Sequence, residues 1–158
     1  MLLYVFQENF LFFPEKLPDD FKFEFDQDFE EIQVQTQDNN TLHSILFKSR
    51  ASKGLIFYLH GNAGSLRSWG QVAATYTALN YDVFMLDYRG YGKSEGKISS
   101  EKQLLRDTQT AYDLIKERYI EKKIIVLGYS IGAGMATHLA ASNHPRLLIL
   151  QASFLSFS

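Results

Sequence analysis

The pentapeptide Gly-Tyr-Ser-Ile-Gly at positions 128–132 is the part of this sequence whose residue types and spacing best suit covalent chemistry. It directly follows an apolar run, 124–127, and precedes a stretch rich in small residues, 133–142, that is typical of a helix. A sharp turn between strand and helix would strain the backbone of Ser130, and side chains two residues to either side would collide there. This context predicts a nucleophile elbow that presents the Ser130 hydroxyl for attack on a carbonyl carbon. The alternative is a glycine-rich turn that contains an ordinary serine.

The composition is that of an ordinary soluble globular protein. The chain has 158 residues, 46% of them hydrophobic and 22% charged, which is enough for one domain with a hydrophobic core. A net charge of -2 without a basic tract gives no electrostatic basis for binding nucleic acid. The absence of cysteine excludes disulfides, thiolate metal sites and a cysteine nucleophile, and it is compatible with any compartment.

Apolar runs alternate with helical patterns in the second part of the chain. Because each run is apolar at every position, the runs are typical of strands covered on both faces, as in a parallel sheet. The runs are 55–59, 83–86, 124–127 and 147–150. Strand, helix, strand, helix predicts an α/β fold with a doubly wound, mostly parallel sheet. Upstream, 21–25 alternates apolar and charged residues like a half-buried strand, and 32–47 is typical of a hairpin that turns at 38–40.

Three helices are expected between these strands. The first is predicted to begin near Ser68, with Gln71 at capping-box spacing, and to stop at Asn80. The second is predicted to begin at Ser100, with Gln103 in the matching place. The third follows the elbow and ends near residue 143.

Three loops of unusual composition follow strands of the predicted parallel sheet, at the edge where such folds bind their ligands. They are His-Gly-Asn-Ala-Gly at 60–64, Asp-Tyr-Arg-Gly-Tyr-Gly-Lys-Ser at 87–94, and the elbow at 128–132. With these motifs in this order, the chain resembles the α/β-hydrolase superfamily over nearly its whole length. The subgroup that it resembles includes bacterial esterase-like and peptidase-like hydrolases and eukaryotic protein depalmitoylases, many of them with an N-terminal membrane anchor.

The resemblance implies a serine hydrolase in which Ser130 is the catalytic nucleophile and forms an acyl-enzyme. Backbone N–H groups of Ile131 and Asn62 would form the oxyanion hole, with Ala63 as the next choice after Asn62. The other implied site residues have a structural role: His60, Gly61, Gly128, Gly132 and Asp87. The sequence contains no metal-binding arrangement such as H-E-x-x-H, so we expect no metal ion and no cofactor.

The four histidines are poor candidates for the general base. In the family's sheet order the strand before His60 lies beside the elbow strand, but the matching family histidine is structural and holds the oxyanion loop. His138 is eight residues beyond Ser130 on the same predicted helix, about 12 Å along its axis and too far for proton transfer. His144 falls at the far end of that helix, and His43 falls in the early hairpin.

The family's catalytic acid and histidine follow the strand after the elbow helix, in that order. Here that strand is 147–150, and the sequence ends eight residues later. We therefore expect a chain truncated after this strand, with both residues missing and no activity on its own. The expected organisation is an N-terminal arm at 1–20 and a partial α/β-hydrolase domain at 21–158. Asp87 is out of order as a triad acid and is expected to anchor its own loop through Arg89.

Three functional interpretations remain open for such a chain. In the first, it is a serine hydrolase for small-molecule or lipid-like esters, thioesters or amides whose completing half is missing. In the second, a dimer partner or a separate chain completes the site in trans, a pairing that the open sheet edge at 147–150 favours. In the third, it is a non-catalytic hydrolase relic that binds a partner.

The apolar N-terminus is relevant to where in the cell the protein is located. No segment has the roughly 18 consecutive apolar residues of a membrane-spanning helix, and 1–13 lacks the basic start and cleavage site of a signal peptide. We expect this segment to be an arm packed on the body of a cytoplasmic protein. Peripheral membrane contact through the apolar residues 10–13 is the alternative.

Overall fold

The computed structural model describes residues 12–151, and two β-sheets organise this part of the chain. In chain order the strands are β1 (Phe13–Pro14), β2 (Phe29–Gln35), β3 (Thr41–Phe47), β4 (Leu55–Leu59), β5 (Ala63–Gly64), β6 (Asp82–Leu86), β7 (Ile124–Tyr129) and β8 (Leu147–Gln151). The larger sheet has six strands in the order β2-β3-β6-β4-β7-β8, and the smaller one joins β1 to β5.

The larger sheet is parallel where the apolar runs predicted it to be. The pairs β2–β3 and β3–β6 are antiparallel, whereas β6, β4, β7 and β8 run parallel to one another. Every residue of β4 and β6 is buried, because both faces of these strands are covered. This arrangement confirms the α/β class and the doubly wound, mostly parallel sheet.

Helices cover the two faces of the sheet. They are α1 (Leu66–Trp69), α2 (Ala73–Thr77), α3 (Glu101–Lys116) and α4 (Gly132–Ser142), with a 3-10 turn, Gly70–Val72, between α1 and α2. Successive side chains of β4 point to opposite faces of the sheet. Phe57 joins one apolar cluster with Tyr112 of α3 and Leu139 of α4, and Tyr58 joins the other cluster with Ala73 of α2.

The N-terminal strand predictions are half right. The hairpin of β2 and β3 forms as predicted, and Asn39 in its turn has a left-handed φ of 65°. The strand predicted at 21–25 is wrong, because this segment has no strand partner and is irregular. Its burial still alternates: Phe23 is buried and stacks on His43, and Phe25 packs edge-on against Phe47. The alternation therefore reports aromatic packing on the sheet rather than pairing within it.

Four of the five predicted helix boundaries are correct, including both ends of α4, which follows the elbow and stops at its C-cap Asn143. Ser100 caps α3 by accepting a hydrogen bond from the Gln103 N–H at 3.1 Å, and Asn80 ends the first helical segment at φ 66°. The start predicted at Ser68 is wrong by one turn. Ser65 is the N-cap of α1, with its hydroxyl accepting from the Arg67 N–H at 3.2 Å.

The first described residues form a strap, residues 12–17, across two loops at the carboxyl ends of the parallel strands. Its strand β1 pairs in parallel with β5, and Lys16 forms an isolated bridge with Gly92. Residues 1–11, which hold most of the expected arm and part of the segment considered for membrane contact, lie outside the described residues. Within residues 12–151, no helix has the length and apolar composition needed to cross a bilayer.

Arg89 ties together three parts of the fold through two carboxylates. It donates to Asp107 of α3 at 2.5 and 2.9 Å, and to Asp38 in the hairpin turn at 2.6 and 2.7 Å. Arg89 and Asp107 are only 5% and 4% exposed. Both charges are therefore desolvated, and either one would be left uncompensated if its partner were removed.

Replacing Arg89 with methionine is expected to lower the free energy of unfolding by about 3–5 kcal/mol, because Asp107 would stay buried without a cation. Arg118→Met is the control, since it breaks a solvent-exposed pair with Glu30 and is expected to cost about 0–1 kcal/mol. Urea unfolding followed by circular dichroism measures both. Equal losses for the two variants would contradict the prediction.

Candidate active site

Ser130 lies in the turn between β7 and α4, with its backbone in the left-handed region at φ 53°. Gly128 and Gly132 flank it where the structure has no room for side chains. A β-carbon on Gly128 would lie 2.5 Å from the Gly132 carbonyl oxygen, and one on Gly132 would lie 2.1 Å from the Leu59 carbonyl oxygen. The Ser130 N–H donates to the Gln151 carbonyl at 2.9 Å, which ties the turn to the end of β8. The backbone therefore has the strained turn that a nucleophile elbow requires.

Helix α4 begins immediately after this serine. Ile131 is its N-cap residue, and the Ser130 carbonyl accepts from the Ala133 N–H at 3.0 Å. The first N–H groups of a helix have no acceptor within the helix, and the helix dipole favours negative charge at this end. Ser130 and Ile131 are both half-buried, so solvent reaches this end of the helix.

The loop at 60–64 lies directly beside the elbow. Strands β4 and β7 pair in parallel with Leu59 opposite Gly128, so the two loops leave the sheet at the same place. Gly61 packs on two aromatic rings: a β-carbon there would lie 3.0 Å from Trp69 and 3.4 Å from Tyr129. The loop that holds Asn62 is thus next to the turn that holds Ser130.

Two side chains, His60 and Trp69, donate hydrogen bonds to carbonyl oxygens of this loop. His60 Nδ1 donates to the Gly61 carbonyl at 2.7 Å, and Trp69 Nε1 donates to the Ala63 carbonyl at 2.7 Å. In a trans peptide the C=O and the following N–H point in opposite directions. Holding the Gly61 carbonyl therefore also sets the direction of the Asn62 N–H.

The strap and a tyrosine hold the remaining carbonyls. The Asn62 carbonyl accepts two hydrogen bonds, from the Phe13 N–H at 2.8 Å and from the Tyr91 hydroxyl at 2.6 Å. The Gly64 carbonyl accepts from the Glu15 N–H at 2.9 Å. Every carbonyl from 61 to 64 thus accepts a hydrogen bond from a donor outside its own peptide.

His60 and Asp87 form a fully buried pair beneath the loop, with Nε2 3.1 Å from Oδ1. Asp87 also accepts from the N–H of Leu66, the first residue of α1, at 3.1 Å from each oxygen. Both ring nitrogens of His60 are engaged by acceptors, Asp87 and the Gly61 carbonyl. Neither nitrogen is left to take a proton from Ser130.

The expectation that Asp87 anchors its own loop through Arg89 is wrong. Arg89 extends to α3 and the hairpin turn, where it pairs with Asp107 and Asp38. The neighbouring strand end brings His60 to Asp87 instead. Asp87 therefore fastens the 60–64 loop and the start of α1, which are far from it in sequence.

The other three histidines lie elsewhere. His43 is buried on β3, its Nε2 lies 2.9 Å from Glu31, and burial lowers its pKa. His138 and His144 are exposed, on the solvent side of α4 and beyond its end. All four histidines of the chain fall within the described residues, and none of them has a free nitrogen at Ser130.

Three contributors to this site were not predicted from the sequence: Trp69, Tyr91 and the strap. Tyr91 and Trp69 could have been suspected, because buried aromatic side chains with a polar atom usually find a hydrogen-bond partner. The strap gave no local signal, since Phe13 and Asn62 are brought together only by the tertiary fold.

A comparison with protein families matches residues 50–158 of this chain to the model described as "Serine aminopeptidase, S33". Among curated proteins, the bem46 protein of Schizosaccharomyces pombe is 41% identical over 141 residues, which cover 84% of this chain and 47% of that protein. The lysophosphatidylserine lipase ABHD12 of Danio rerio is 37% identical over 112 residues, covering 66% of this chain and 29% of that protein. The chain thus spans about half or less of the length of these relatives.

Solved structures show the same fold. An α/β hydrolase from Vibrio vulnificus superposes with a TM-score of 0.69 at 24% identity, covering 79% of this chain and 45% of that one. The esterase Pf2001 of Pyrococcus furiosus superposes with a TM-score of 0.61 at 25% identity, covering 77% of this chain and 51% of that one. From the family match and this shared fold, we conclude that the chain belongs to the serine aminopeptidase S33 family of the α/β-hydrolase superfamily.

Proposed function

We propose that this chain carries the nucleophile and the oxyanion hole of a serine hydrolase. The observation that carries the proposal is the left-handed backbone of Ser130 between two glycines that cannot bear a side chain. Such a turn presents the serine hydroxyl at the end of the sheet. Attack by Oγ on an acyl carbon would release the alcohol, thiol or amine, and water would then release the acid from the acyl-enzyme.

The oxyanion of the tetrahedral intermediate would be held by backbone N–H groups from two loops. One donor is Ile131, at the start of α4, and the other is Asn62, with Ala63 as the alternative. Removing one such donor typically costs roughly 100- to 1000-fold in turnover. The residues that give the two loops their shape are His60, Gly61, Gly128, Gly132 and Asp87.

Small-molecule or lipid-like esters, thioesters or amides are the substrate classes that we infer for this site. The support for an acyl substrate comes from the names of two similar proteins, a lysophosphatidylserine lipase and an esterase. Both names describe acyl transfer to water, which is the chemistry that a serine elbow and an oxyanion hole can perform.

Activation of Ser130 would require an imidazole from outside the described residues, because each of the four histidines is engaged or remote. Without a base, a serine hydroxyl is a poor nucleophile at neutral pH. Substrate binding and the oxyanion hole alone would accelerate hydrolysis about 10³–10⁴-fold over the uncatalysed reaction in water. We therefore infer low activity for the chain when it is alone.

Completion of the site by a second chain is the alternative that one observation favours. Strand β8 is one of the two outer strands of the described sheet, and its Leu147 and Leu150 are 50% and 44% exposed. On this alternative, sedimentation would detect a dimer, and the reactivity of Ser130 would rise with protein concentration in step with dimer formation. A monomer with constant reactivity would exclude it.

A fluorophosphonate probe tests the nucleophile. Ser130 is expected to displace fluoride from the probe, and the labelled peptide is identified by mass spectrometry. Added neutral imidazole should accelerate labelling at least about tenfold, a fraction of the roughly 100-fold or more that a positioned base supplies. Ser130→Ala should abolish labelling, whereas Ser142→Ala, an exposed serine at the end of α4, should label like wild type. A folded chain with no adduct at Ser130, with or without imidazole, would overturn the proposal.

The glycines of the elbow give a second test. Gly132→Ala is expected to abolish labelling of Ser130. The new β-carbon would lie 2.1 Å from the Leu59 carbonyl oxygen, so the helix start and the end of β4 would have to move apart. Gly134→Ala is the matched control on the same helix, since a β-carbon there meets nothing within 4 Å. That control should label normally and gain about 1 kcal/mol of stability from helix propensity. Normal labelling of folded Gly132→Ala would show that the tight crossing is not needed.

A further inference from the structure

We propose that Tyr91 and the strap, residues 12–17, are positioning elements for the oxyanion hole. They hold the Asn62 carbonyl and thereby direct the Asn62–Ala63 peptide that carries one of its candidate donors. This inference rests on the proposed function, since it assigns a role to groups that touch the 60–64 loop rather than the reacting atoms. It makes the strap part of the site.

The Asn62 carbonyl is held more firmly than a single hydrogen bond would hold it. Two donors reach its oxygen, the Phe13 N–H at 2.8 Å and the Tyr91 hydroxyl at 2.6 Å. A carbonyl oxygen has two lone pairs, so both are used. The peptide cannot rotate without breaking both bonds, and the Ala63 N–H on its far side keeps one direction.

Tyr91 is suited to a permanent donor role. It is fully buried, and its ring packs against Phe12, His60 and Tyr88. Burial raises the pKa of its phenol above the usual range, so the hydroxyl keeps its proton at any ordinary pH. Because the ring has its own packing contacts, removing only the hydroxyl leaves its place in the core intact.

The strap is fastened on both sides of the gap between the two loops. On one side the Glu15 N–H donates to the Gly64 carbonyl at 2.9 Å. On the other side the Gly92 N–H donates to the Glu15 carbonyl at 2.7 Å, and the Leu17 N–H donates to the Gly92 carbonyl at 3.0 Å. Lys16 Nζ adds a bond to the Ser94 carbonyl at 2.5 Å. The strap thus links the 60–64 loop to the 87–94 loop.

The Glu15 side chain anchors the strap to helix α1. Its carboxylate accepts from the Ser65 hydroxyl at 2.7 Å and pairs with Arg67 at 2.5 Å. Ser65 is the N-cap of α1, and Asp87 holds the next N–H of the same helix start. Movement of the strap would therefore be transmitted both to the start of α1 and to the 60–64 loop, which carries one of the two oxyanion donors.

The test compares phosphonylated Ser130 in wild type, Tyr91→Phe and a matched control. The control is Tyr112→Phe, another fully buried tyrosine, whose hydroxyl bonds Glu121 instead of the loop. Each protein is labelled with a fluorophosphonate in the presence of imidazole. The readouts are the labelling rate and the ³¹P chemical shift of the adduct, which reports hydrogen bonds to the phosphonyl oxygen.

Tyr91→Phe is expected to slow labelling about tenfold, less than the roughly 100-fold lost when a donor is removed outright. Its ³¹P shift should move toward that of the urea-unfolded adduct, whereas Tyr112→Phe should leave both readouts at the wild-type values. Glu15→Ala tests the strap independently and should move the ³¹P shift in the same direction, with the exposed Glu24→Ala as its control.

The outcomes separate this inference from the proposed function. A wild-type adduct whose ³¹P shift is the same in Tyr91→Phe and Glu15→Ala would overturn the positioning role and leave Ser130 as the nucleophile. Absence of any adduct at Ser130 in the wild type would overturn the proposed function, and this inference with it.

Discussion

The crossing of helix α4 over the end of strand β4 is the constraint on which the site depends. At this crossing a β-carbon on Gly132 would lie 2.1 Å from the Leu59 carbonyl oxygen, so only glycine fits. Because β4 and β7 are adjacent and parallel, the helix that follows β7 must start immediately beside the loop that follows β4. The left-handed backbone conformation of Ser130 makes the turn between β7 and α4 sharp enough for this close approach.

Buried polar groups beneath the loops keep this geometry in place. The Asp87 carboxylate has no exposed surface, and its burial is offset by hydrogen bonds from His60 and from the start of α1. Ser94 continues the network: its hydroxyl donates to the Asp87 carbonyl at 2.7 Å and accepts from the His43 N–H at 2.8 Å. The two loops beside the elbow are thus joined through donors and acceptors that water does not reach.

Sequence reasoning succeeded where the controlling interactions are local. The apolar runs located the parallel strands, the cap at Ser100 located α3, and the Gly-x-Ser-x-Gly spacing located the strained turn. It failed where a pattern had more than one physical cause. The alternation at 21–25 arises from aromatic rings packed on the sheet, and the serine at 68 has capping-box spacing although Ser65 is the cap.

The sequence by itself determined the α/β class, the order of the loops and the identity of the serine in the elbow, because strand burial and turn strain act over a few residues. Only the tertiary structure decided that Asp87 bonds His60 rather than Arg89, and that Phe13 and Tyr91 share the Asn62 carbonyl. Those partners are separated by tens of residues along the chain. Their pairing follows from which strand ends are neighbours in the sheet, and no local pattern encodes that.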